Sequence, residues 1–339
     1  MRAIIEEVHG GPEVLTVSEI DLPEVQDHQV LIKIAAAGLN RADALQRRGH
    51  YPPPAGASHI YGLEVSGTIE ALGSQVTGWA VGDQVMALMA SGGYAEYVAV
   101  DARHIMPVPA GVSLIEAGGI PEVAATVYSN LVTTCGMSLN PADNAEISVL
   151  IHGGSGGIGA HAIQLALAAG ARVFATAGSE EKCEFIRTLG KDLGVAPERL
   201  IAINYREESF REVIERETNS LGVNYILDVV GAPYLNDNLH SLADGGHMTI
   251  IGLQGGARAE LDMGLMLTRR LSVHATSLRS RGAEDKARII DGVRREVLPL
   301  YERGLISPAL DSTFELDRAA AAHEYFDGGA YFGKVLLVP

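Results

Sequence analysis

Between Met1 and Glu116 the apolar residues come in short runs separated by glycine-centred reversals. Val30-Leu-Ile-Lys-Ile-Ala35, Glu64-Val-Ser-Gly-Thr-Ile69 and Gln84-Val-Met-Ala-Leu88 read as strands. Gly73, Gly78 and Gly82-Asp83 mark turns, and Pro52-Pro-Pro54 makes a stiff extended loop. Short strands at this spacing predict a barrel-like β unit. Beyond Glu116 the pattern changes. Helical spans alternate with near-continuous apolar runs at Ile147–Ile151, Ala171–Ala175, Tyr225–Val229, His247–Ile251 and Leu271–Ala275. Buried strands joined by helical crossovers predict a doubly wound parallel sheet. An amphipathic helix near Lys286–Tyr301 and a strand at Lys334–Val338 close the chain. The expected class is α/β, with a β-rich unit preceding the parallel sheet and no internal repeat.

Composition narrows the function classes. The chain has 339 residues, enough for two domains. Hydrophobic residues make up 47% and charged residues 20%, a globular balance. With 26 basic and 42 acidic residues the net charge is −16, which argues against a nucleic-acid groove or an anionic membrane as partner. One anionic cofactor needs only a local basic pocket and stays open. Two cysteines, Cys135 and Cys183, exclude a disulfide scaffold or a four-cysteine zinc lobe. The N-terminus reads as lacking a basic, apolar leader, and no run reaches the roughly 18–20 apolar residues of a membrane span. A soluble, cytoplasmic protein is the expectation.

The strongest motif is Val149-Leu-Ile-His-Gly-Gly-Ser-Gly-Gly-Ile-Gly159. Gly154, Gly156 and Gly159 have the GxGxxG spacing, between an expected strand and a helix at Ala160–Gly170. In a Rossmann domain such glycines serve the tight turn, the close approach of backbone N–H groups to a pyrophosphate, and helix–strand packing. Gly157 and Ile158, in the same loop, are further cofactor candidates, and the N-terminal dipole end of the following helix suits phosphates. An NAD site carries an acidic residue roughly 20 residues further on, at the next strand end. Here Ala177-Gly178-Ser179 stands instead, leaving room for a 2′-phosphate, so the expected cofactor is NADPH. Lys182, Ser179 and Tyr205 are the candidate partners of that phosphate. Ser179 as a helix cap and Lys182 as a solvated surface residue are the competing readings.

Several stretches together resemble the zinc-free quinone oxidoreductase family of the medium-chain dehydrogenase/reductase superfamily. They are Ala36-Ala-Gly-Leu-Asn-Arg-Ala-Asp43, Gly49-His-Tyr-Pro-Pro-Pro54, Gly62-Leu-Glu-Val-Ser-Gly67, the glycine loop, Thr276-Ser-Leu-Arg-Ser-Arg281 and Gly333-Lys334. The resemblance implies a GroES-like domain over residues 1–119 and 281–339, a Rossmann domain over 120–280, and a catalytic cleft between them. Zinc-dependent members carry cysteine where this chain has Asn40 and histidine where it has Leu63, and neither residue here is a good zinc ligand. The eleven histidines form no HxH or HxxxH pair, and His104 and His152 read as core or surface residues. No metal is expected.

Without a metal, the expected acceptor is one whose reduced form needs little electrophilic help, such as a quinone. A conjugated enone or alkenal is the alternative substrate, and a structural or regulatory nucleotide-binding role the alternative class. Asn40 and Tyr51 are the catalytic candidates. Asn40 would donate its amide hydrogen to the acceptor, and Tyr51 would stack on it or donate to it; a turn role and a packing role compete with these. The resemblance also implies Thr126, Ile251-Gly252-Leu253 and Gly333-Lys334 around the nicotinamide. Arg279 receives no role and is expected at the surface. Edge pairing of Leu271–Ala275 implies a homodimer. Asn144, in place of a Gly-Asp turn, and a long connection at Lys191–Arg199 are departures, the second able to displace Tyr205.

Overall fold

The computed structural model describes residues 1–6 and 8–339. The chain opens with β1 (Arg2–Ile5), β2 (Thr16–Glu19), β3 (Gln29–Gly38), β4 (Glu64–Leu72), β5 (Gln84–Leu88), β6 (Tyr97–Asp101) and β7 (Ile105–Pro107). Next come β8 (Ser148–Ile151), β9 (Arg172–Ala177), β10 (Leu200–Asn204), β11 (Val223–Asp228), β12 (Leu242–Ile250) and β13 (Ser272–Ala275). It ends with β14 (Leu310–Glu315) and β15 (Lys334–Val338). Two compact units result. The first comprises Met1–Ala125, Leu278–Glu302 and Pro308–Pro339, and the second Thr126–Ser277 with Arg303–Ser307. The pentapeptide Arg303–Ser307, assigned by sequence to the first domain, packs with the second because the Gln164 side chain brackets Ser307, accepting from its N–H at 2.9 Å and donating to its carbonyl at 3.0 Å.

In the first unit β3 is the hub. It pairs antiparallel with β4, β6 and β15, within the order β14-β15-β3-β4-β5-β7. Along β3 buried and accessible residues largely alternate, the period-2 signature of a sheet with one covered face. Ile4, Val30, Ile32, Val65, Ile69, Val85, Val335 and Leu337 gather in its core. The strand Lys334–Val338 is thus a central element, although it closes the chain.

The second unit has strand order β10-β9-β8-β11-β12-β13, and every pairing is parallel. All four residues of β8 are buried, as a strand covered on both faces requires. Leu150, Phe174, Ile203, Ile226 and Met248 come from five neighbouring strands into one core. The strand order reverses between β8 and β11, so loops leaving the carboxyl ends of these strands part there, the point at which such sheets bind ligands.

Most expected elements are present within a few residues. The expected helix at Lys286–Tyr301 is an α-helix at Ala283–Gly292, a π turn at Val293–Val297 and a further turn at Leu298–Glu302. Pro299, with no N–H to continue the ladder, follows the π turn directly. Asn144 proves to be a staple, donating to the carbonyls of Ser138 (2.7 Å) and Ala169 (2.8 Å). Among the described residues no helix is long and apolar enough to cross a membrane.

Candidate functional site

In the second unit the sequence-selected residues lie at the carboxyl ends of consecutive strands. The glycine loop leaves β8, Gly178 and Ser179 follow β9, Tyr205 follows β10, and Ile251–Leu253 follow β12. The positive-φ residue of the loop is Gly153 (φ +70°), one position before the expected Gly154. Gly154 instead packs its backbone against Ala175 and Ile186. A Cβ on Gly159 would run into the Gly153 carbonyl, so the helix Gly157–Ala168 can approach the loop only with glycine there. Gly156 caps this helix without a side chain, and the first-turn N–H groups at Gly157, Ile158 and Gly159 have no intrahelical acceptors. These features fit a pyrophosphate.

Tyr205 closes over Gly178, where an added Cβ would lie 2.6 Å from the phenol oxygen. The long connection at Lys191–Arg199 therefore leaves Tyr205 in register: the helix ends at Asp192, turns through Gly194 (φ +66°) and enters β10 after a short helical turn at Pro197–Arg199. Ser179 caps the helix Glu180–Asp192, accepting from the Lys182 N–H at 3.4 Å. Lys182 itself is half-buried. The Glu180 carboxylate pairs with Arg187 at 2.7 Å, which offsets its charge beside the pocket. Gly252 lets the chain pass close to the Val229 backbone, and Leu253 is 55% exposed.

Beneath these loops lies a buried polar chain that sequence reasoning missed. His152 Nε2 meets Asn238 Oδ1 at 2.7 Å, and its Nδ1 meets Thr176 Oγ1 at 3.0 Å. Asn238 donates to Asp228, whose carboxylate accepts from the N–H groups of Val230 and Gly231. Burial drives the His152 imidazole down to about 4, so it is neutral and acts as a structural link, not a ligand. Thr126 also belongs to a bracing network. Its carbonyl accepts from Asn130 Nδ2 at 2.8 Å, and Asn130 Oδ1 accepts from Thr249 (2.8 Å) and Thr276 (2.6 Å). Asn130 sits in a π-helical turn, Tyr128–Thr134.

In the first unit Asn40 caps the helix Arg41–Arg47 and is 8% exposed. Its amide hydrogens go to Gly38 O (3.3 Å) and Glu64 Oε1 (3.0 Å), and its Oδ1 accepts from Lys334 Nζ at 2.9 Å. Both amide hydrogens are thus engaged within the chain. The three ammonium hydrogens of Lys334 meet Leu39 O (2.8 Å), Asn40 Oδ1 and Glu64 Oε1 (2.5 Å). Gly333, at φ +78°, makes the turn into β15 against Ala309. The ammonium thus lies among the side chains nearest the positions that ligate zinc in metal-dependent relatives, where Leu63 is fully buried. Asn40, leucine and one ion-paired carboxylate do not fit zinc. Among the described residues no group of three or more His, Cys, Asp or Glu side chains could hold a metal.

Tyr51 is half-buried, and the expected surface residue Arg279 proves to be its neighbour. Arg279 is 5% exposed, with its guanidinium carbon 5.2 Å from the Tyr51 ring centroid.

The comparisons agree with this architecture. Residues 26–110 match the family of alcohol dehydrogenase GroES-like domains, and residues 157–291 the family of zinc-binding dehydrogenases. The quinone oxidoreductase of Lama guanicoe is 31% identical over 100% of this chain and 97% of its own length. The chain belongs to the quinone oxidoreductase family. That places it in the medium-chain dehydrogenase/reductase superfamily, as an oxidoreductase built from a GroES-like and a Rossmann domain. Among solved structures, the Escherichia coli quinone oxidoreductase complexed with NADPH is similar at TM-score 0.85 and 28% identity, covering 100% of both chains. An NAD-dependent alcohol dehydrogenase is similar at TM-score 0.85 and 29% identity over 100% of both.

Two predictions follow from the buried groups. Lys334→Met should destabilise the protein by roughly 3–5 kcal/mol, because Glu64 would remain buried without its cation, while the double variant Lys334→Met/Glu64→Leu should recover much of that loss in a denaturant titration. His152 titrates near 6.5 when unfolded and near 4 when folded, so the unfolded chain gains its proton first as pH falls. Stability should therefore decline from about pH 6.5 to 4, by on the order of 3 kcal/mol from this group. Melting curves of His152→Gln should show a shallower decline, with His161, also lowered to about 4, and His323, lowered to about 3, still contributing.

Proposed function

We propose that this oxidoreductase is a zinc-independent NADPH:quinone oxidoreductase, acting as a cytoplasmic homodimer. The observation that carries the cofactor reading is the end of β9. The strand stops at Ala177, Gly178 and Ser179 bring no carboxylate, and Tyr205 lies beside the gap. A 2′-phosphate would meet the Ser179 hydroxyl, the Lys182 ammonium and the Tyr205 phenol there, whereas an acidic residue would repel it. Gly153 to Gly159 would hold the pyrophosphate. Ile251, Gly252, Leu253 and Thr126 would flank the nicotinamide end.

Bound NADPH supplies a hydride. Addition of that hydride and one proton converts a quinone to its hydroquinone, whose aromaticity favours the product without a Lewis acid. Lys334 supports the zinc-independent reading, because its ammonium already balances Glu64 next to Asn40. The acceptor-side candidates are Asn40, which would turn its amide to a quinone oxygen while capping the adjoining helix, and Tyr51, which would stack against the quinone or donate to its oxygen. Two buried, unpaired cysteines suit a reducing compartment. The dimer reading rests on the edge strand β13 and on Leu261, Met263 (74% exposed) and Leu267 (83% exposed), which precede it.

The test is oxidation of NADPH and of NADH with a simple quinone and with an enone, before and after a chelator. Chelator-insensitive, NADPH-preferring quinone reduction is expected, and Lys182→Glu should raise KM for NADPH about tenfold while sparing NADH. Preference for the enone would change the assigned acceptor, and chelator sensitivity would overturn zinc independence. Light scattering should give twice the 35.8 kDa of one chain, falling to one copy in Met263→Lys/Leu267→Glu.

A further inference from the structure

We propose that Arg279 is a positioning residue for the acceptor, and that with Gln46 it forms a clasp closing both ends of the loop that presents Tyr51. The proposal rests on the reading of Tyr51 as the acceptor-facing residue. Three guanidinium nitrogens donate to three separate segments: Nε to Ala90 O (2.7 Å), Nη1 to Tyr51 O (3.1 Å) and Nη2 to Gln46 Oε1 (2.5 Å). Gln46 in turn donates to His59 O at 3.4 Å. The loop is therefore held at Tyr51 by Arg279 and at His59 by Gln46, and the two holding side chains are bonded to each other.

The start of the loop is set locally. The Gly49 N–H reaches Gln46 O at 2.8 Å, and Gly49 takes φ +76°. Pro52 to Pro54 stiffen the chain next to the clasped carbonyl. Arg279 is itself anchored, since Lys286 Nζ donates to its carbonyl at 2.9 Å. Its plane also lies against the Tyr51 ring, so a cation contacts the aromatic face as well as the backbone. Only a planar fork reaches all three acceptors together; an ammonium on a flexible stem reaches one. All three acceptors are neutral oxygens, so the buried charge is held for its geometry and not for an ion pair in contact with it.

The experiment compares wild type, Arg279→Lys, Tyr51→Ala and the double variant. It measures kcat and KM for a simple 1,4-benzoquinone, the Kd for NADPH, and hydrogen exchange across residues 49–59. Arg279→Lys keeps the charge and most of the stem, which protects the fold. It should lower kcat/KM for the quinone about tenfold, leave the NADPH Kd unchanged, and speed exchange in the loop. The double variant should be no worse than the poorer single variant, because Arg279 acts through Tyr51. Multiplying losses in the double variant, or full quinone activity in Arg279→Lys, would overturn the clasp's role. Full activity in Tyr51→Ala would overturn the reading of Tyr51 itself and the proposal with it, and faster exchange in Arg279→Lys would then show a clasp that serves only the fold.

Discussion

The Glu64 carboxylate is the node on which the first unit depends. Its Oε1 accepts from Lys334 and Asn40, and its Oε2 accepts from the Glu122 N–H at 2.9 Å. Fully buried, it would be strongly destabilising without these donors. Through it the first residue of β4, the first residue of β15, the cap of the helix Arg41–Arg47 and the first turn of the helix Pro121–Val127 acquire fixed positions. Lys334 lies 270 residues from Glu64 in sequence, so this pair ties the end of the chain to its beginning. Asn40, held by both, sets the helix Arg41–Arg47. At the next turn Asp43 accepts from the Asn40 and Gly62 N–H groups, while burial pushes its carboxyl up to about 6. Gln46, the far end of that same helix, is what Arg279 reaches.

The second unit solves a different problem. Its strands need no charge to pair, but their carboxyl ends must present loops of defined shape. His152, Asn238 and Asp228 form one buried line from β8 to β11, across the point where the strand order reverses. Asn130 does the same for β12 and the residue after β13. The Asn130 network is neutral, and the Asp228 carboxylate is engaged by backbone N–H groups, so no buried group of either is left unpartnered. On the reading proposed above, that division lets the rim, at Ser179, Lys182 and Tyr205, carry the cofactor selectivity while the layer below carries the shape.

Where burial follows a simple period, the sequence was readable. The runs at Gln84–Leu88 and Lys334–Val338 are strands to the residue, and five of the six parallel strands fall close to their apolar runs. β2 and β14 escaped notice because Thr16–Glu19 and Leu310–Glu315 are largely accessible and have no apolar rhythm. The glycine loop was recognisable by spacing, yet the left-handed residue is Gly153, outside the motif, since the turn begins as soon as β8 ends. Asn40 and Lys334 were found as residues, but their bonds to each other and to Glu64 were not, because single positions do not reveal that three side chains share their hydrogens. Arg279 was invisible for a related reason. Its partners lie 189 to 233 residues away, beyond any local pattern, and arginine usually signals a surface.

Two of the buried cations of the first unit, Lys334 and Arg279, divide the electrostatic work. Lys334 is matched by Glu64 in direct contact, so the pair is a rigid, nearly neutral post. Arg279 meets only neutral oxygens, and burial lowers its pKa while Asp43 and Glu122 act on it from further away. Burial beside Glu64 pushes the Glu122 carboxyl up to about 8, so near neutral pH it compensates the guanidinium weakly. Positive potential is thereby left beside the Tyr51 ring. On the reading proposed above, a quinone receiving a hydride develops negative charge on its oxygens before protonation, and fixed positive charge in a dry site stabilises that development without reorganising. A chain whose ammonium is already committed beside Asn40 can still meet that need, provided a second cation is kept out of ion-pair contact. On that reading Arg279, its guanidinium carbon 5.2 Å from the Tyr51 ring centroid, is the cation proposed for it.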